Sequence, residues 1–154
     1  MIVDVHVHYI APAVFESLRH GAGPGVRLHP GDGVKLQVGD EAPTRPLLPA
    51  LHTLDLHTKF FAERGIDRAV FGPLMDVAGY SLPPAQGAAW SRLQNEALAA
   101  ALAGLPGAHR GLATVPLQNP ALAAAELTVA VRDLGLAGAM IDPKGRPGAN
   151  LGER

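Results

Sequence analysis

Apolar and polar residues alternate strictly over the first eight positions, Met-Ile-Val-Asp-Val-His-Val-His, and a period of two predicts a β-strand over 1–8. On such a strand Asp4, His6 and His8 share one face, and Val3, Val5 and Val7 share the other. The β-branched face predicts a central strand, enclosed on both sides. Tyr9 to His20 reads as a loop entering a short helix. Gly21 to Pro49 is rich in Gly and Pro. Within it Val26-Arg27-Leu28 and Val34-Lys35-Leu36-Gln37-Val38 flank Gly31-Asp32-Gly33, which predicts a small β-hairpin insertion.

The period then lengthens and a βα pattern sets in. Leu54 to Arg64 has apolar residues at helical spacing, with Gly65 placed to end the helix. Ile66 to Pro73 is a short buried strand. Ala85 to Leu105 is a helix with Trp90, Leu93, Ala97, Ala101 and Leu105 three or four residues apart. Arg110 to Val115 is a strand ended by Pro116, and Asn119-Pro120 starts a helix that runs to about Leu134. Leu136 to Ile141 is a fourth short strand of this series. Trp90 and Asn95 read as helix packing and polar anchoring.

Strands alternating with helices of this length imply a parallel sheet, either doubly wound and open or part of a closed barrel. The first βα turn has no Gly-x-Gly-x-x-Gly, which leaves a dinucleotide-binding sheet unsupported. The histidine pair instead falls at the C-terminal end of the first strand, where barrel enzymes carry their chemistry. A whole barrel takes about 250 residues, against 154 here. The expected architecture is therefore one domain over 1–154. It is the N-terminal half, about four βα units, of an α/β (β/α)8 TIM barrel with an insertion at about 21–49. Such a half exposes the edges of its first and fourth strands.

Composition narrows the partners. The formal net charge is −1 and the basic residues are scattered, so no nucleic-acid or anionic-membrane footprint is expected. Without Cys there is no disulfide, thiolate zinc site or Cys nucleophile. No apolar run approaches the roughly 20 residues of a membrane span, and no secretory leader pattern is seen. A cytoplasmic protein is expected.

Histidines two apart on a strand lie roughly 7 Å apart at the backbone, close enough for both rings to reach one ion through bonds of about 2 Å. The competing reading is a solvated face of an edge strand. A buried face carrying two His and one Asp needs polar partners or a metal, and this favours His6 and His8 as ligands. His20, His29, His52, His57 and His109 read as exposed or locally bonded, and His52 and His57, five apart, form no helical His-x-x-x-His pair.

Asp4-Val-His6-Val-His8 resembles the first-strand metal motif of the amidohydrolase superfamily. Further segments resemble its amidohydrolase 2, or aminocarboxymuconate-semialdehyde decarboxylase-like, branch. They are Arg45-Pro-Leu, Glu63-Arg-Gly-Ile-Asp67-Arg-Ala-Val, Gly79-Tyr80, Asn95-Glu-Ala-Leu, Leu112-Ala-Thr-Val-Pro-Leu-Gln118-Asn-Pro and Leu134-Gly-Leu-Ala-Gly-Ala-Met-Ile141. They follow the family's order over nearly the whole chain and cover the N-terminal half of a typical member.

The resemblance implies a metal-dependent barrel holding a divalent ion, usually zinc, with His6 and His8 as the first two ligands. The remaining ligands and the acid–base group belong to a C-terminal half, so the catalytic residues are expected outside this stretch. Arg45 matches an insertion-loop Arg that binds a substrate carboxylate; an exposed loop Arg is the alternative. Asp4 is expected to orient its neighbours. The implied activity of the full-length form is decarboxylation of a small carboxylate by a non-oxidative carboxy-lyase, and hydrolysis of an ester, lactone or amide is the runner-up. For this stretch alone the expectation is different. Two ligands fall short of the three protein ligands of a catalytic zinc site. The alternative of another class is a truncated, non-catalytic fragment, or a half-barrel assembling with a copy of itself or a complementary C-terminal half.

Overall fold

The computed structural model describes residues 1–29, 31–105 and 108–143. In chain order the elements are β1 (Val3–His8), α1 (Pro12–Arg19), β2 (Val26–His29), β3 (Lys35–Val38), α2 (Leu54–Arg64), β4 (Arg68–Gly72), α3 (Pro84–Ala103), β5 (Arg110–Ala113), α4 (Pro120–Arg132) and β6 (Gly138–Ala139). Short 3-10 turns at Pro49–Leu51 and Met75–Val77 complete the connections.

β1, β4, β5 and β6 form one sheet in that spatial order, and every pair is parallel. Successive strands are linked through α2, α3 and α4 with no reversal of strand order. A doubly wound sheet would show such a reversal; the wall of a (β/α)8 barrel does not. β2 and β3 pair antiparallel from Val26 opposite Val38 to His29 opposite Lys35, and they form the hairpin expected between the first strand and its barrel helix.

Local chemistry explains the boundaries. α2 ends where Gly65 turns left-handed at φ 64°. The N–H of Ile66 then bonds the carbonyl of Phe61 at 2.9 Å, which satisfies an otherwise orphaned carbonyl. α4 opens with the Asn119 side chain accepting from the Leu122 N–H at 3.0 Å, followed by Pro120.

The core lies between the sheet and its helices, around Phe71, Trp90, Val14 and Leu36. Trp90 satisfies its indole N–H on the carbonyl of Val77 at 2.7 Å. Asn95 anchors α3 to the end of β5. It donates to the carbonyl of Thr114 and accepts from its N–H, both at 2.9 Å. It also donates to Glu126 at 2.8 Å. That carboxylate is buried and takes both of its oxygens to Arg92 as well, so no charge is left without a partner.

Two expectations are corrected. β1 is an edge strand of the described sheet, not an enclosed one, and Val3 and Val5 are 40% and 69% exposed. An apolar pattern reports a face that can be covered; no described element lies along the outer edge of β1 to cover it. The ladder also slips inside the histidine motif. Asp4 pairs with Ala69 and Val7 with Phe71, three steps on β1 against two on β4. This bulge breaks the strict alternation, so Asp4 is out of phase with His8, which pairs with Gly72.

Candidate metal centre

β1 delivers His6 and His8 at its C-terminal end, as the motif predicts. Their Nε2 atoms lie 3.0 Å apart and the rings meet edge to face, with centroids 4.6 Å apart. His8 is held from behind, its Nδ1 lying 2.8 Å from the carbonyl oxygen of Pro73. A carbonyl only accepts, so Nδ1 carries the proton and Nε2 keeps its lone pair. Between the two rings His6 Nε2 is then the donor. Asp4 does not join them as a third donor. Its Oδ1 accepts from the backbone N–H of His6 at 3.1 Å and braces the bulge.

The donor set suits a divalent ion. Two imidazole nitrogens on a tetrahedral zinc stand about 3.3 Å apart for bonds near 2.0–2.1 Å, so the observed spacing needs to open by only a few tenths of an ångström. A backbone carbonyl fixing the tautomer of a ligating His is the usual supporting contact for such a ligand. Among the described residues, however, no group of three His, Cys, Asp or Glu gathers closely enough to hold a metal.

The pair opens on a cavity of about 420 Å³ lined by residues including Asp4, His6, His8, Leu56, His57 and Phe60. His57, expected to be exposed or locally bonded, is half-buried: it has a hydrogen bond with the backbone of Ala50, and its ring sits among those of Tyr9, Phe61 and Phe71, at 6.0, 6.0 and 5.7 Å. Burial pushes its pKa below the ordinary imidazole value; the backbone of Ala50 and the charge of Asp4 oppose this. Its Nε2 meets no hydrogen-bond partner among the described residues. His109 is bonded at long range: its Nδ1 accepts from the Ala69 N–H at 3.0 Å and its ring stacks on Phe61. His52 packs edge-on against Phe15, and His20 is exposed.

Arg45 is exposed and does not line the histidine cavity. The backbone around it is pinned, because the N–H groups of Thr44 and Leu47 bond the carbonyls of Leu36 and Val34 at 2.8 and 2.7 Å. The contribution of Pro73 was not legible in the sequence. A backbone carbonyl has no residue-type signature; the only hint was that Gly72-Pro73 ends the neighbouring strand. Among the described residues, no helix is long and apolar enough to cross a membrane.

No family model matches the sequence, and no curated protein does either. Solved structures do. A dihydroxybenzoic acid decarboxylase from Polaromonas sp. JS666, with bound manganese and the inhibitor 2-nitroresorcinol, is 23% identical with a TM-score of 0.65. The match covers 94% of this chain and 39% of that one. A 5-carboxyvanillate decarboxylase from Sphingomonas paucimobilis is 22% identical with a TM-score of 0.63, covering 92% and 42%. A 4-oxalomesaconate hydratase from Rhodopseudomonas palustris is 24% identical with a TM-score of 0.59, covering 94% and 42%. The fold is theirs, in part. The chain spans about two fifths of the length of these structures, and its four parallel strands form the N-terminal half of a (β/α)8 barrel.

Proposed function

We propose that this half-barrel belongs to the amidohydrolase 2 branch and carries the first two metal ligands, His6 and His8, of a non-oxidative decarboxylase acting on a small carboxylate. The observation that carries this reading is the convergence of the two Nε2 atoms at 3.0 Å with the tautomer of His8 set by Pro73. Two of the three matched structures described above are decarboxylases, and one of them holds manganese. Zinc remains the preferred ion for an all-imidazole pair.

A divalent ion bound there supplies Lewis acidity, polarising a substrate oxygen and lowering the pKa of a bound water. The chain's own residues do the rest of what this half contributes. His8 keeps its lone pair forward because its Nδ1 proton is engaged behind it. Leu56 and Phe60 give the cavity an apolar wall that favours a flat carbon skeleton over bulk water. Arg45, on its pinned backbone, offers a planar fork to a carboxylate. The acid–base group that moves the proton lies in a C-terminal half by the resemblance.

Hydrolysis is the second reading. The fold is not tied to decarboxylation, since it also hosts a hydratase, and an ion held by His6 and His8 would activate a water for either outcome. For the 154 residues alone, two donors support little or no turnover without a complementary half.

The test uses a full-length form or the chain supplied with such a half. Metal-dependent CO2 release from small carboxylates, abolished in His6→Ala and His8→Ala and weakened in Arg45→Ala, is expected. Ester or lactone hydrolysis without CO2 release would transfer the reading to a hydrolase. Activity that survives loss of both histidines would overturn it.

A further inference from the structure

Pro73, whose carbonyl engages His8, also borders a much smaller cavity of about 10 Å³. Its walls come from α1, α3, β5 and the connections that follow β1 and β4, all within residues 9–112. Neither the outer edge of β1 nor β6 takes part in it. The cavity is therefore interior to the fold.

One polar group in that wall is unaccounted for. Gln94 is only 8% exposed, and its Nε2 is buried and meets no hydrogen-bond partner among the described residues. The adjacent Asn95 is committed to Thr114 and Glu126, while Val14 and Leu98 present only carbon. A buried amide donor without a partner destabilises the fold, and native proteins satisfy such groups with ordered water. A cavity of about 10 Å³ has room for one water and no larger ligand. Pro73 offers that water an acceptor. Proline has no N–H, and its carbonyl has two lone pairs, of which the His8 Nδ1–H takes one. Tyr9 and Ile10 spend their N–H groups on the carbonyls of Gly72 and Leu51, at 3.0 and 2.8 Å, so neither competes for the other.

We propose that one water molecule bound in this cavity accepts from Gln94 Nε2 and donates to the Pro73 carbonyl, which makes Gln94 a positioning residue for His8. This rests on the reading of His8 as a metal ligand. Two donors share the charge of one carbonyl, so the gain is in direction and not in strength. A carbonyl held from both sides keeps the His8 ring at a fixed angle, and the partner behind a ligating His is part of what tunes its grip on an ion. α3 is thereby tied to the end of β1 through the residue just beyond β4.

NMR of the chain without metal tests the site. Cross-peaks between water and the Gln94 side-chain amide are expected, with nuclear and rotating-frame Overhauser effects of opposite sign, the mark of a water held longer than surface hydration. Gln94→Met, similar in length and without a donor, should remove those peaks and broaden the His8 Nδ1–H resonance by exchange with solvent. The zinc concentration that half-shifts the His6 and His8 resonances should rise about tenfold in that variant. Ser91→Ala removes another buried polar atom of α3 that lies outside the cavity wall, and should change none of these readouts; circular dichroism confirms that both variants are folded. A parent chain without the water peaks overturns the proposal, so a variant that fails to fold does not spare it. Water peaks that are present, with a His8 resonance unmoved in Gln94→Met, overturn the positioning role. A parent chain whose His6 and His8 resonances do not respond to zinc overturns the ligand reading and leaves the water site, read without metal, standing.

Discussion

His8 donates through Nδ1 to the carbonyl of Pro73 across 2.8 Å, joining the end of β1 to the residue just beyond β4. The contact decides which ring nitrogen faces His6. In the ion-free protein, neutral His8 is expected as the Nδ1–H tautomer and neutral His6 as Nε2–H. Nitrogen-15 NMR of the imidazoles reads this directly. Zinc should move the His6 proton from Nε2 to Nδ1 and leave the His8 tautomer unchanged; an Nε2–H signal on ion-free His8 would contradict the arrangement.

His57 predicts an acid limb of stability. Its folded pKa is lowered chiefly by burial, so the folded ring binds fewer protons than the unfolded one. Stability then rises with pH through the interval below about 6.5, the unfolded imidazole value. It is lost as pH falls, with a slope of at most about 1.4 kcal/mol per pH unit from this group. Urea melts across that range, compared with His57→Phe, check it. The variant should flatten the limb, because an uncharged ring in the same aromatic cluster has no proton to take up.

Asn95 holds α3, β5 and α4 together through Thr114 and Glu126. Replacing it with Leu leaves the N–H of Thr114, which is fully buried, without its partner. A loss of about 2–4 kcal/mol in urea unfolding is expected.

Arg92 is the charged partner of Glu126, which is only 5% exposed. Arg92→Leu strands a buried carboxylate, and a cost of about 3–5 kcal/mol is expected. The double variant Arg92→Leu/Glu126→Leu should recover part of that loss, since removing both charges also removes the desolvation penalty. A double variant no better than the single one would show that packing, not charge, governs this site.

Gly87 lies against the amide of Gln118. That amide donates to the carbonyls of Gly79 and Leu82 at 3.1 and 3.0 Å. A methyl group at Gly87 must displace it, so Gly87→Ala should cost about 1–3 kcal/mol despite the higher helix propensity of Ala. Thermal melts of the variant beside Gln118→Ala would show similar losses if the displaced amide is the cause.

Much of the architecture was legible in particular residues. Gly65 and Asn119-Pro120 set helix ends by local chemistry, and the hairpin between Val26 and Val38 follows from two alternating runs around glycines. The strands proved shorter than their apolar runs: Leu136 to Ile141 yields only Gly138–Ala139, which pairs with β5 alone. Of the candidate site, His6 and His8 come together as the spacing required. Asp4, expected to orient its neighbours and not to be a ligand, accepts from the backbone N–H of His6. Arg45 is exposed and is not among the residues that line the histidine cavity. The burial of His57 and the bond of His109 to Ala69 were not legible, because both depend on residues far away in the chain.

By itself the sequence determined the βα order, the caps, the hairpin and the placing of two imidazoles at a strand's C-terminal end. These follow from periods of two and 3.6 and from side chains acting on their immediate neighbours. Only the tertiary structure decided the slip in the β1 ladder, the tautomer of His8 and the exposure of Val3 and Val5. Each of those turns on which distant backbone group or surface meets the strand, and short-range patterning carries no record of that.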